Sequence, residues 1–181
     1  MGLEITVLTG SPRKEGNTFA LTDAFAEAAR KAGHEITRFD TAFMDIKGCK
    51  ACMGCFKTHS LCVQKDDFSQ MTDTIESADV LVFSAPVYFY SFPAQIKAAL
   101  DRTFCFAGAQ RSLAGKRYAV LSCCEEADPG VFDGIVKPLE RVARLCKWEL
   151  AGTVLVNSVN EIGDIDKTDG CKRAAALARS L

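Results

Sequence analysis

Ten consecutive residues, Thr9-Gly10-Ser11-Pro12-Arg13-Lys14-Glu15-Gly16-Asn17-Thr18, put two glycines, hydroxyls, an amide and a guanidinium between two apolar patterns. Ile5, Val7 and Leu8 before them read as a β-strand. Leu21, Ala24, Phe25, Ala28, Ala29 and Ala32 after them recur at the spacing of a helix's apolar face. A loop running from a strand into a helix N-terminus gathers free backbone N–H groups and the positive end of the helix dipole at one spot. The chemistry this suits is the holding of a phosphate, with Ser11, Arg13, Asn17 and Thr18 as side-chain partners. A Walker A loop is excluded, because Gly10 and Gly16 enclose five residues instead of four and Asn17-Thr18 follows in place of Lys-Ser/Thr. The dinucleotide fingerprint G-x-G-x-x-G is absent as well. A bare helix cap would account for Asn17 or Thr18, but not for the whole polar, turn-forming run.

Cysteines are the second chemical signal. There are nine in 181 residues; an odd number without a visible export signal argues against a disulfide framework. Four of them form Cys49-x2-Cys52-x2-Cys55-x6-Cys62, a cysteine-rich insertion of about 46–65 within the stretch 41–65 that has no clean period. The spacing lets four thiolates converge. Bacterial ferredoxins use a similar run, with three residues before the last cysteine and a proline after it. The residues alone leave open a cluster, a four-thiolate zinc site, a dithiol for exchange, or unmetallated thiols. Cys105, Cys146 and Cys171 fall on or near helix faces and read as core packing. Cys105-x5-Arg111-Ser112 copies the pattern of cysteine phosphatases, whose thiol needs the amides of a helix N-terminus. Here the cysteine follows a helix expected over 94–104, facing carbonyls and the negative dipole end, so the match is accidental.

The totals exclude several function classes. A formal net charge of −1 draws the surface to neither nucleic acid nor anionic membrane. Hydrophobic content of 48% and charged content of 25% suit one globular domain, 1–181, with a sizeable core. No apolar run approaches the roughly 18 residues of a membrane span. With no secretory signal to read, a cytoplasmic location is expected. Met1-Gly2 with Thr6 fits a loose myristoylation pattern, but these residues lead straight into an expected central strand.

The elements that must position this chemistry follow from the remaining patterns. Glu35–Phe39 alternates like a strand near a sheet edge, and Val80–Phe83 is continuously apolar like a strand covered on both faces. Tyr118–Leu121 and Thr153–Val156 read as the last two strands. Asp66-Asp67 can cap a short helix with Phe68, Met71 and Ile75 inside; Ile96, Ala99, Leu100, Thr103 and Phe104 mark the next inner face. Ile135, Leu139, Val142 and Cys146 repeat at helical spacing, with Pro138 expected to kink or break the first turn, and Cys171, Ala174, Ala175 and Ala178 mark a terminal helix. Strands alternating with helices imply a parallel sheet covered on both faces. In the five-stranded order 2-1-3-4-5, strands one and three are neighbours and ligands sit off their C-terminal ends. That places the 9–18 loop beside Ala85-Pro86-Val87-Tyr88-Phe89-Tyr90-Ser91-Phe92-Pro93. The second loop offers a flat apolar wall with free N–H groups, as a planar heteroaromatic ring requires. Four aromatics in five residues cannot all stack on one ring, and Tyr88 and Phe89 are the ring-side choice.

Gly10-Ser11-Pro12-Arg13 with Gly16-Asn17-Thr18, the four spaced cysteines followed by Asp66-Asp67, Ala85–Phe89 with Gln95 and Lys97, and Asp101-Arg102 together carry a resemblance. Over essentially its full length the chain resembles the flavodoxin-like NAD(P)H-dependent FMN reductases, and among them the iron–sulfur flavoproteins. The resemblance implies FMN, its phosphate at Ser11, Arg13, Asn17 and Thr18. It also implies a ring flanked by Pro86, Val87, Tyr88 and Phe89 and by the loop Ser122, Cys123, Cys124 and Glu125. It implies NAD(P)H as cosubstrate, and a small-molecule or protein electron acceptor such as a quinone, a flavin or a metal ion. A 4Fe–4S cluster on Cys49, Cys52, Cys55 and Cys62 is its reading of the cysteine loop, and a homodimer or homotetramer its reading of assembly. No side chain is expected to act as acid or base, because the cofactor carries the chemistry. Cys123-Cys124-Glu125-Glu126 departs from the Gly- and Thr-rich loop of the family. The alternatives are a non-enzymatic, flavodoxin-like electron carrier and a thiol redox sensor.

Overall fold

The computed structural model describes residues 2–181; Met1, which begins the acylation pattern, lies outside the described residues. Five parallel strands pair in the order β2-β1-β3-β4-β5: β1 Glu4–Thr9, β2 Glu35–Asp40, β3 Val80–Ser84, β4 Arg117–Cys123 and β5 Glu149–Val156. Helices α1 Asn17–Lys31, α2 Gly54–Thr58, α3 Thr72–Ser77, α4 Ala94–Arg102, α5 Cys105–Gly108, α6 Asp133–Cys146 and α7 Gly170–Arg179 connect or follow them. This is the flavodoxin-like order expected from the sequence.

The period of two along the central strands sorts the core into two layers. Val80 and Val82 of β3 join Ile5 and Val7 of β1 under Leu21 and Phe25 of α1 and Ala174 and Ala178 of α7. Leu81 and Phe83 point the other way, to Ile75, Ile96, Leu100, Ile135 and Leu139 from α3, α4 and α6. The register sets Thr9 opposite Ser84, so the chains leave β1 and β3 at the same level. Gly10 then passes close beneath α4, where a Cβ would run into Ile96 and Ala85. Its N–H donates to the Ser84 carbonyl at 2.8 Å.

Three local expectations are corrected. The strand read as Tyr118–Leu121 extends through Cys123, because Ser122 and Cys123 pair with Leu155 and Val156 of a longer β5. Phe104 is exposed, since α4 stops at Arg102 and the chain turns before α5. Pro138 lies inside an unbroken α6. Its missing N–H would have bonded to the Gly134 carbonyl, a group still within the first turns and approached by the Ser91 hydroxyl at 3.5 Å.

Candidate functional site

The loop from Gly10 to Thr18 crosses the C-terminal edge of the sheet and ends at an uncapped helix. Gly16 is the N-cap of α1 and no side chain accepts from the first-turn amides, leaving several N–H groups of a 15-residue helix without a protein acceptor. Gly16 has no side chain to cap with, and the polar side chains of the first turn are engaged elsewhere. Asn17 Nδ2 donates to the Glu161 carbonyl at 2.8 Å, while its Oδ1 accepts from Gly163 N and Ile165 N at 3.1 and 3.3 Å. Thr18 Oγ1 pairs with Cys123 Sγ at 3.2 Å. Ser11 Oγ accepts from Arg13 N at 3.2 Å, shaping the turn from a buried position, and Arg13 is exposed beside it.

A cleft of about 470 Å³ opens in front of this helix end. Of the residues singled out from sequence, Ser11, Arg13, Asn17, Thr18, Pro86, Val87, Tyr88, Phe89, Cys123, Cys124 and Glu125 all line it. Ser122 does not. As part of β4 it points into the sheet, fully buried, where its hydroxyl donates to the Ala85 carbonyl at 2.6 Å and ties the ends of β3 and β4 together. The sequence reading missed Tyr90, Glu126, Val131, Val159, Asn160 and Ile162. The rule that ligands sit at strand C-terminal ends could have flagged Val159–Ile162, because that loop leaves β5 at the same edge as the others.

The aromatic loop is a tight hairpin. Tyr88 and Ser91 exchange backbone hydrogen bonds of 2.9 and 3.1 Å around Phe89 and Tyr90. Both central residues have positive φ, 48° and 63°, the signature of a type I′ turn that glycine or asparagine normally occupies. The hairpin is seated on α6 at Gly134, where a Cβ would collide with the Tyr90 carbonyl. Strain of this kind persists only where the surroundings over-determine it. The result is a Phe89 side chain 99% exposed at the cleft rim. Hydrogen bonding to Glu126 and its charge, with burial and Asp128 adding, hold the proton on Tyr90 to higher pH than usual. The hairpin and the loop after β4 thus face each other through Tyr90 and Glu126.

The cleft cysteines are a wall, not nucleophiles. Burial pushes the Cys123 thiol up to about 11 despite its bond with Thr18. Cys124 is raised by burial first and then by the charges of Glu126 and Glu125. Thiols held protonated in this way are poor attackers at neutral pH.

The four-cysteine loop lies elsewhere, against α4 and α5. Cys49 and Cys52 are exposed and Cys55 and Cys62 half-buried. Cys55 Sγ packs against Gly108, and Cys62 Sγ accepts from Arg102 Nε at 3.1 Å. Among the described residues, no three Cys, His, Asp or Glu side chains gather at metal-binding distance. The four thiols as placed do not form a site for a single ion such as zinc. The loop is anchored by a buried ion pair, Arg102 to Asp66 at 2.7 and 3.1 Å, with side chains 1% and 0% exposed. Arg102 also donates to the Lys47 carbonyl at 2.8 Å. Cys105 is buried, its thiol pushed up to about 11 mainly by that burial, and Arg111 pairs with Glu76 instead of facing it. Cys105 opens the four-residue α5 instead of closing a 94–104 helix as expected, but a buried thiol and an Arg111 bound to Glu76 leave the phosphatase-like pattern without its two working parts.

A parallel sheet of this order with its cleft at the strand C-termini defines a flavodoxin-like nucleotide-binding architecture. The chain belongs to the NADPH-dependent FMN reductase family, whose pattern it matches over residues 3–131. An iron–sulfur flavoprotein of Methanosarcina thermophila is 35% identical over 123 residues, covering 66% of this chain and 62% of that protein. One from Archaeoglobus fulgidus is 34% identical over 101 residues, covering 56% and 49%. The chain thus spans about half to three-fifths of the length of these relatives. In fold it is similar to an NAD(P)H:quinone oxidoreductase from Methanothermobacter marburgensis, with TM-score 0.76, 17% identity and coverage of 100% and 96%. It is also similar to an FMN-dependent NADH-azoreductase of Bacillus anthracis solved with FMN, with TM-score 0.75, 13% identity and coverage of 98% of each chain. No helix among the described residues is long and apolar enough to cross a membrane.

Proposed function

We propose that the cleft holds FMN and that the protein is an NAD(P)H-dependent flavoprotein oxidoreductase. The observation that carries the reading is the glycine-capped N-terminus of α1, with the polar side chains of its first turn bound elsewhere and the cleft directly in front of it. Free amides, the helix dipole, Ser11 and Arg13 suit a phosphate monoester. The volume falls in the range of small-molecule sites. Pro86, Val87 and Tyr88 supply an apolar wall, and Cys123 and Cys124 supply the opposite one without a reactive thiolate. Bound there, FMN would accept hydride from a reduced nicotinamide and return the electrons to an acceptor. The protein's share is to seat the phosphate, fix the ring between two loops and leave one face open beside Phe89. Family membership supports the cofactor; a quinone-like or azo acceptor is suggested by the names of the fold neighbours, whose likeness is one of fold.

The cysteine spacing and the relatives' names support an iron–sulfur centre in the 46–65 loop, which would take single electrons on from the cleft. A second copy of the chain is the expected partner for the apolar groove lined by Leu100, Phe104, Val142 and Leu145 between α4 and α6. Anaerobic purification with absorption spectra, iron and sulfide analysis and NADH or NADPH turnover tests these statements together. A yellow protein that oxidises nicotinamide with a small acceptor is the expected result, and one that holds FMN but neither iron nor sulfide would end the cluster reading alone. A colourless protein that takes up no added FMN would end the reading.

A further inference from the structure

The loop after β5 supplies Val159, Asn160 and Ile162 to the cleft and is held at two ends. At one end, Val159 N donates to the Cys124 carbonyl at 2.8 Å, and Asn157 Nδ2 donates to the Glu126 and Asp128 carbonyls at 3.1 Å each. At the other, the loop folds on itself around Asp164, whose Oδ2 accepts from Glu161 N at 2.8 Å and Asn160 N at 3.2 Å, with Gly163 in the left-handed region at φ +87°. The link from that folded end to the rest of the site is the side chain of Asn17, itself 9% exposed.

We propose that Asn17 is a positioning residue that clasps this loop to the head of α1, and not a ligand of the cofactor phosphate. Its carboxamide has two acceptor lone pairs and two donor hydrogens. Both lone pairs are directed to Gly163 N and Ile165 N and one hydrogen to the Glu161 carbonyl. The backbone of the same residue begins α1 and stands among the amides that face the cleft. Asn17 therefore joins the phosphate end of the site to the loop that carries Ile162 at its rim, and the phosphate is left to the amides, Ser11 and Arg13.

This inference rests on the FMN reading, and one experiment separates the two. FMN and riboflavin, which lacks the phosphate, are titrated by flavin fluorescence, and amide hydrogen exchange is followed over 157–166. Wild type that binds neither flavin would end the FMN reading, and the clasp with it. If it binds, Asn17→Ala is expected to weaken both flavins by the same factor, about tenfold for one or two net hydrogen bonds lost. The preference for FMN over riboflavin is expected to survive, and Gly163 and Ile165 to lose protection. Selective loss of FMN affinity with the loop still protected would make Asn17 a phosphate ligand and overturn the clasp. Lost protection with both affinities unchanged would overturn it too. Asn17→Asp keeps both acceptor bonds and covers the case in which the alanine variant fails to fold. It loses the donor to the Glu161 carbonyl, so Gly163 and Ile165 are expected to keep more protection than in Asn17→Ala but less than in wild type, while the added carboxylate lowers FMN affinity further than riboflavin affinity; protection no better than in the alanine variant would overturn the clasp.

Discussion

The cleft and the cysteine loop carry the two densest chemical signals in this chain, and the fold treats them differently. The cleft is assembled from four segments that leave β1, β3, β4 and β5 at one edge of the sheet, so strand register aligns their residues. The 46–65 loop has only the five-residue α2 for regular structure, and the buried Arg102–Asp66 ion pair, with Arg102 also bonding Lys47 and Cys62, is its main polar anchor. Short spacing in sequence did not gather its thiols, whereas residues over a hundred positions apart met in the cleft. Convergence comes from the scaffold that feeds a loop, more than from the loop's own spacing.

The largest expected effect follows from cutting the loop's anchor. Arg102→Ala or Asp66→Ala is expected to cost about 3–5 kcal/mol in urea unfolding, because the remaining charge stays buried without a partner. A double replacement by Met and Leu is expected to recover much of it. Burial raises the Asp66 carboxyl, but hydrogen bonds from Arg102 and from the Lys47 and Phe68 amides outweigh that and hold it below its usual range. A depressed folded value means this stabilisation is complete above about pH 4 and fades as pH falls through the lower folded value. The gap between wild type and Asp66→Ala should close over that acid window.

On the cleft side, Arg13→Ala is expected to lower FMN affinity about 10- to 100-fold, the worth of a charge-assisted hydrogen bond, and to leave riboflavin nearly unaffected. Equal losses for both flavins would move the phosphate away from this loop. Phe89→Gly is expected to stabilise the fold by about 1 kcal/mol. The left-handed penalty of roughly 1–2 kcal/mol is relieved, less the entropy that glycine adds to the unfolded chain. A destabilised variant would show that the exposed ring packs on something in solution. The smallest effect is expected from Glu125→Gln, which removes a charge lining the cleft and should raise the flavin midpoint potential by about 10 mV, as suits an exposed charge. An unchanged potential would place Glu125 away from the ring.

Much of this was legible in the amino acids. The apolar residues before the polar run 9–18 and the apolar run 80–83 identified the strands that set the sheet order, and that order brought the 86–89 segment beside the 9–18 loop. Ser122 was misplaced because strand ends depend on a partner: alone it reads as loop, but pairing with Leu155 carries β4 past it and buries its hydroxyl. For Asn17 the sequence offered a phosphate partner but not the hydrogen bond that its amide makes to the Glu161 carbonyl, 144 residues away, because an amide at a helix head looks the same from sequence in either role. Periodicity and turn chemistry are local, so the sequence by itself determined the strands, the helices and the loop with a free helix end. Which side chains remain available to a ligand, and whether four thiols meet, depends on contacts between distant segments, and only the tertiary structure decided those.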